Sequence, residues 1–400
     1  MNWSRRGIAL LGAAAAIFIA ADAQAQNPIR IGYPVILSGP GALIGEPSMK
    51  GAQMFVEEIN AKGGVLGRKI ELVIRDTKGN ADEAVRVARD LILRENVDFL
   101  FGTLTSAEGP AVSPIAKENK IVFVVPVVKT DQLVAKENLH PYIFRTASNT
   151  TIEGRTGAEI MAKWPNIKRV GTMSPDYAFG QDVTRAFVTH LKKLRPDIEI
   201  VDQQWPKLGQ SDFTPFITAQ MGKQPHAVFC DVFGGDFVTF AKQAAPLGYF
   251  KAINNRLVDG GEVGTTDAAL ALGADYPYGI WSDAYDPVIW PENEPPEHKA
   301  YIERLKAFTH EQYASGWAIM GYGSILALVE GIKKANSTNS DKVAKAMVGM
   351  SFDTPIGKLT FNQNHETEMG EFWGQMVKDD RYPFAIMKNP TYLSQGPFTN

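Results

Sequence analysis

Ser106 combines a small hydroxyl with a strand end and an expected helix start. The apolar run Val97 to Phe101 leads into Gly102-Thr103-Leu104-Thr105-Ser106, and the next apolar run, Ile121 to Pro126, leads into Val127-Val128-Lys129. Between them, Ala111, Val112, Ile115 and Ala116 recur at helical spacing within Ala107 to Asn119. In open parallel sheets ligands bind beyond the carboxyl ends of the strands. Free amides at a helix N-terminus and the helix dipole favour an anion there, so Thr105 and Ser106 are candidate partners for a carboxylate or phosphate. The alternative role for Ser106 is simple helix capping. Lys129 has two readings as well: a solvated loop lysine, or a compact cation beside Ser106, suited to a carboxylate and ill suited to an ammonium.

Other chemistries find little footing in the sequence. The six histidines (140, 190, 226, 298, 310 and 365) never fall three or four residues apart and lie near no cysteine, so no metal site is expected. No Gly-x-Ser-x-Gly elbow exists, Ser324 lies inside a helical pattern, and Cys230 sits mid-strand as an inert thiol, so no catalytic residue is assigned. Gly39-Pro40-Gly41-Ala42-Leu43-Ile44-Gly45 lies between a strand and a helix. Its glycine spacing does not match a dinucleotide loop and Pro40 lacks an N–H, so no cofactor is expected. The turn instead lets the backbone approach a ligand or the other half of the molecule, and Leu43 in it is a candidate ligand contact.

These residues need a scaffold of alternating strands and helices, and the chain has that pattern. Strands are expected at Ile29–Ile36, Lys69–Arg75, Val97–Phe101 and Ile121–Pro126, with helices between them that include Ala81–Glu95. A second series starts near Thr150. Its strands are expected at Arg169–Met173, Glu199–Gln203, Ala227–Val232, Arg256–Asp259 and Tyr278–Trp281, and its helices include Gln181–Leu194 and Gly235–Leu247. Alternation of this kind implies parallel sheets and right-handed crossovers. After a proline-rich stretch, 287–296, three helical patterns (His298–Tyr313, Trp317–Ala335, Asp341–Met350) have no strands of their own and must cover the first sheet. Short strands near Gly357–Phe361 and Glu371–Val377 close the chain. The expected fold is α/β: two Rossmann-like lobes with parallel sheets, joined by a three-strand hinge, with crossings near Arg145, Ser282 and Asp353. Residues 26–146 and 283–352 form the N-lobe, and 147–282 and 353–400 the C-lobe.

Residues 1–25 read as a secretory signal peptide: Arg5 and Arg6, an apolar run Gly7–Ala20 shorter than the roughly 20 residues of a membrane span, and Ala23-Gln24-Ala25 before the expected cleavage. No cysteine follows to carry a lipid. Removing that segment takes two arginines and Asp22 from a chain of net charge −3, leaving −4. With no basic block, nucleic acid is not an expected partner. A single cysteine allows no internal disulfide, so stability must come from burial.

Ser38-Gly39-Pro40, Ile59-Asn60-Ala61-Lys62-Gly63-Gly64-Val65-Leu66-Gly67-Arg68, Tyr177-Ala178-Phe179-Gly180-Gln181 and Asp353-Thr354-Pro355-Ile356-Gly357-Lys358-Leu359-Thr360-Phe361 occur in order along the chain. This set resembles the periplasmic leucine/isoleucine/valine-binding proteins of ABC transporters. The resemblance implies the two-lobed periplasmic binding protein type I fold with its three crossovers. It matches Ser106 to the serine that binds the ligand carboxylate and Val127 to a position offering backbone groups. Lys129 stands where the family has a threonine. Phe179, with Tyr177 nearby, takes the place of a pocket tyrosine, and Asp236 falls where another aromatic is usual. Asp259 or Glu262 would be the acid that meets a ligand ammonium.

The expected function is therefore a periplasmic, not lipid-anchored, monomeric solute-binding protein and no enzyme. Its expected partners are a small-molecule carboxylate, gripped by hinge closure, and ABC permease membrane subunits. The carboxylate is either an amino acid or an aromatic or keto acid, the latter favoured by Lys129. The rival function is the ligand-sensing component of a signalling receptor.

Overall fold

The computed structural model describes residues 27–367 and 369–393; the expected signal peptide lies outside them. The first half of the chain runs β1 (Ile29–Val35), α1 (Ala42–Ala61), β2 (Ile70–Asp76), α2 (Ala81–Leu93), β3 (Phe99–Phe101), α3 (Glu108–Glu118), β4 (Phe123–Val125) and β5 (Ile143–Arg145). These five strands pair in the order β2-β1-β3-β4-β5, parallel throughout. Strands covered on both faces carry continuous apolar runs rather than alternation, and Phe99, Leu100 and Phe101 in β3 are all fully buried.

The second series is α4 (Thr150–Ala162), β6 (Arg169–Met173), α5 (Ala178–Leu194), β7 (Glu199–Gln204), α6 (Thr214–Gly222), β8 (Ala227–Cys230), α7 (Gly234–Ala244), α8 (Tyr249–Ala252), β9 (Leu257–Asp259), α9 (Thr266–Leu272) and β10 (Trp281–Ala284). After α10 (Pro296–Thr309), α11 (Ala318–Ala335) and α12 (Ser340–Met347) come the hairpin β11 (Ser351–Thr354) and β12 (Gly357–Thr360), then β13 (Glu371–Val377) and β14 (Ile386–Leu393). The second sheet has the order β14-β13-β10-β9-β8-β6-β7, parallel from β10 to β7, with the last two strands antiparallel.

Helices α10 to α12 cover the first sheet, as their lack of partner strands required: Tyr301, Leu305, Ile325, Leu328 and Val343 share one core with Ile29, Ile31 and Phe101. The closest approach is α1 on α11. A Cβ on Gly51 would meet the Ala318 carbonyl oxygen at 1.9 Å, and one on Gly321 would meet that of Ser48 at 1.8 Å, so neither site tolerates a side chain.

Three details differ from the sequence-based expectation. The strand expected at Tyr278–Trp281 begins only at Trp281, because Gly279 turns the chain at φ +97°. Leu359, Phe361 and Met369 pack in the first core, so the last passage to the second sheet comes at β13 rather than near Asp353. β14 was not anticipated, since Lys388, Asn389 and Pro390 break any strand pattern; as an edge strand it tolerates that proline.

Candidate functional site

The carboxyl ends of β3 and β4 in the first sheet face those of the second sheet across a cavity of about 40 Å³. Its polar lining is Thr105, Ser106, Lys129, Tyr177 and Glu262; Ile36, Ile44, Leu104 and Val127 supply aliphatic wall, and Phe179, Phe233 and Trp317 supply aromatic wall. Of the residues singled out in the sequence, the structure thus gathers Thr105, Ser106, Val127, Lys129, Tyr177, Phe179 and Glu262. It leaves three elsewhere. Leu43 lines a neighbouring groove with Pro40, Lys50 and Leu270. Asp236, in the first turn of α7, is buried and accepts the Gly209 N–H at 2.7 Å; burial pushes its carboxyl up to about 6. Asp259 is fully buried at the end of β9, accepting the Gly261 N–H at 2.9 Å.

Helix α3 begins two residues after Ser106, and capping falls to its neighbour. Thr105 Oγ1 accepts the Glu108 N–H at 3.2 Å, while the Glu108 carboxylate accepts the Thr105 N–H and hydroxyl, both at 3.1 Å. This reciprocal capping box releases Ser106 from the capping role. Ser106 Oγ accepts the Thr130 N–H at 3.1 Å and keeps its own hydroxyl proton to donate. Among the described residues, the amides of Ser106 and Ala107 have no protein acceptor. One hydroxyl and two amides at a helix N-terminus suit a carboxylate.

Lys129 is not a solvated loop lysine, and as a cation beside Ser106 it does not stand alone. It is 3% exposed, and its ammonium is enclosed by three carboxylates: Glu153 from the first turn of α4, Glu262 from the loop after β9, and Glu371 at the start of β13, the last at 3.1 Å. The Tyr285 ring lies 5.0 Å from Nζ. Burial alone would lower the Lys129 pKa, but the three glutamates outweigh it and hold the group well above its ordinary value. The same burial raises Glu153 and Glu262, against the pull of Lys129. Glu262 adopts φ +53°, a left-handed conformation uncommon for a side-chain-bearing residue, with its N–H donated to Asp283 Oδ1 at 2.8 Å. The three glutamates stand at metal-ligand spacing, yet the position they enclose belongs to the lysine ammonium.

The loop carrying Lys129 is held from below. Arg145, fully buried at the end of β5, donates from Nη1 to the carbonyls of Lys129 (2.9 Å) and Thr130 (2.6 Å), and its Nη2 pairs with Glu366. Thr130 Oγ1 in turn donates to Asp182 Oδ2 on α5 at 2.6 Å, a bond across the two halves. On the aromatic side, Phe179 and Phe233 meet edge to face at 5.7 Å, each at the start of a second-sheet helix. Trp317 opens α11 opposite them and packs edge to face on Tyr285 at 6.0 Å.

Sequence reasoning missed Glu153, Glu371, Tyr285, Phe233 and Trp317. Phe233 and Trp317 carried a usable signal, since Phe233 lies just before the helix expected at Gly235–Leu247 and Trp317 opens the one expected at Trp317–Ala335.

A family model described as periplasmic binding protein matches residues 28–381, and the chain belongs to that family. The Leu/Ile/Val-binding protein BraC3 of Rhizobium johnstonii is 27% identical over 351 residues, covering 87% of this chain and 91% of that protein. The leucine-, isoleucine-, valine-, threonine- and alanine-binding protein of Pseudomonas aeruginosa is 24% identical, with 91% and 93% covered. Among solved structures, a solute-binding protein of an ABC transporter from Rhodopseudomonas palustris, in complex with 3,4-dihydroxybenzoic acid, superposes with TM-score 0.82 at 23% identity, covering 93% of this chain and 99% of that one. The branched-chain amino acid transporter substrate-binding protein LivJ of Streptococcus pneumoniae, in complex with isoleucine, gives TM-score 0.79 at 22% identity, with 92% and 99% covered. These likenesses establish the type I two-lobed fold. No described helix is long and apolar enough to cross a membrane.

Proposed function

We propose that the chain is a monomeric periplasmic solute-binding protein of an ABC transporter, which captures a small carboxylate lacking an α-amino group, an aromatic or keto acid, and delivers it to the permease. It performs no catalysis of its own. One observation carries the choice of ligand: Glu262, the acid exposed to the cavity, is already paired with Lys129. A ligand ammonium entering there would meet a cation at the one carboxylate able to receive it. The carboxylate end of a ligand, in contrast, finds the Ser106 hydroxyl and the amides at the start of α3. Phe179, Phe233, Tyr177 and Trp317 surround the remaining space with ring faces and edges, which favours a flat ring over a branched aliphatic chain.

Amino acids are the second reading. Three glutamates face one lysine, an acidic excess that a ligand ammonium would relieve, and curated relatives carry branched-chain amino acids in their names. A thermal-shift screen of leucine, isoleucine, 4-hydroxybenzoate, 3,4-dihydroxybenzoate and branched-chain keto acids separates the two. A ligand at 100 times its dissociation constant stabilises the folded state by about 2.7 kcal/mol, so the aromatic or keto acids should raise the melting temperature and the amino acids should not. Stabilisation by leucine alone would replace this reading with the second.

A further inference from the structure

The segment joining α10 to α11 crosses between the two halves. Both helices belong to the first core, yet their connection is fastened to the second. Thr266 Oγ1 donates to the Ala314 carbonyl at 2.6 Å, and Ser315 Oγ donates to Asp267 Oδ2 at 2.8 Å. The Tyr313 ring packs edge to face on Phe384 at 4.8 Å. Thr266 and Asp267 form the first turn of α9, whose Ala268, Ala269 and Leu272 are part of the second core. A Cβ on Gly316 would come within 2.5 Å of the Asp286 carbonyl oxygen, so the segment is seated too closely to lift without breaking these bonds.

The fastening leads directly to the cavity. Ser315 Oγ, while donating to Asp267, accepts the Trp317 N–H at 3.2 Å. The Trp317 indole lines the cavity and leans on Tyr285, whose ring lies against the Lys129 ammonium. A continuous path therefore runs from a carboxylate outside the cavity, through one serine, to an aromatic wall residue and the cation in the floor.

We propose that Asp267 is a positioning residue for ligand binding: through Ser315 it holds Trp317, a residue of the first half, in the cavity wall from the second half. The aromatic wall is thereby assembled by both halves together, although Asp267 itself touches no ligand. This rests on the cavity being the ligand site proposed above, and the experiment keeps the two apart.

Asp267→Ala and Asp267→Asn are compared with wild type in two measurements. The first is hydrogen exchange of the peptide spanning residues 311–318 in protein without added ligand. The second is calorimetric titration with 4-hydroxybenzoate as probe. Asp267→Ala should speed exchange at the amide of Trp317 and weaken the probe about tenfold, the worth of one hydrogen bond. Asp267→Asn, whose side-chain oxygen still accepts from Ser315, should restore most of both. Unchanged exchange in Asp267→Ala overturns the fastening, and faster exchange with unchanged affinity overturns the positioning role. If wild type fails to bind 4-hydroxybenzoate, the ligand reading falls, and the hold of Asp267 on Trp317 stands or falls on exchange alone.

Discussion

Lys129→Thr is the substitution on which the electrostatic argument turns. In the native structure its ammonium is shared by Glu153 and Glu371, both fully buried, and by Glu262, which is 4% exposed. Threonine leaves those buried carboxylates without a cation. Breaking a buried ion pair by removing one partner costs about 3 to 5 kcal/mol, and the variant should melt on the order of 10 °C lower. The pH dependence gives a second check. Lys129 titrates far above neutrality, so it contributes no slope between pH 5 and 8. Glu153 and Glu262, whose carboxyls burial already raises, then hold protons more firmly than they would in the unfolded chain, so the folded variant binds more protons than the unfolded one, and its stability falls as pH rises through that range. The melting deficit should accordingly be larger at pH 8 than at pH 5.5, read by calorimetric scans at both. With Glu262 released, leucine should also bind the variant better than the wild type. A variant that melts with the wild type at both pH values would return Lys129 to a solvated loop lysine. Tight leucine binding by the wild type, unaffected by the change, would refute the ligand argument separately.

Three other outcomes are expected. Ser106→Ala should weaken an aromatic carboxylate by roughly 1.5 to 3 kcal/mol in calorimetry, the range for a hydrogen bond to a charged group; no loss would mean that the hydroxyl does not meet the ligand. Saturating 4-hydroxybenzoate should reduce the radius of gyration in small-angle scattering, because contacts from both halves form together only when they close; an unchanged radius would count against hinge closure. Asp236 is buried with its carboxyl raised to about 6, so the folded state gains a proton there that the unfolded state lacks, and stability falls as pH rises from about 4 to 6. Asp236→Asn should remove that fall and be more stable than wild type at pH 8 by about 2 to 3 kcal/mol in urea titrations, and a wild-type stability flat across the window would contradict it.

The alternation of strand and helix was legible because it is a local property: a face such as Ala84, Ala88 and Leu91 on α2 needs only its own neighbours to be recognised. So was the assignment of α10 to α12 to the first sheet, which followed from counting faces left uncovered. The cavity was legible where it is made from strand ends, at Ser106, Val127 and Lys129. It was not legible where three distant elements converge. Glu153, Glu262 and Glu371 meet only because the first turn of α4, the loop after β9 and the start of β13 come together around Lys129, and nothing in the spacing of 153, 262 and 371 announces it. The carboxylates around Lys129 could not be foreseen for that reason. Asp236 and Asp259 were candidate acids, but the first points its carboxylate at the Gly209 amide and the second at the Gly261 amide, and neither lines the cavity.

The covering of the first sheet by α10 to α12 also bears on the order in which the molecule can be made. Strands β1 to β5 emerge early in synthesis, but Ile29, Phe101 and Phe144 lack their partners Tyr301, Ile325 and Leu328 until the whole second series has been translated. Parallel pairing of this kind forms slowly, because distant segments must be brought together before any contact repays the loss of chain freedom. Half of the protein is thus obliged to remain open while the other half is still being produced, leaving apolar strands exposed to chaperones in that interval. The late helices act as a lock that is delivered only when the rest of the polypeptide has already been made.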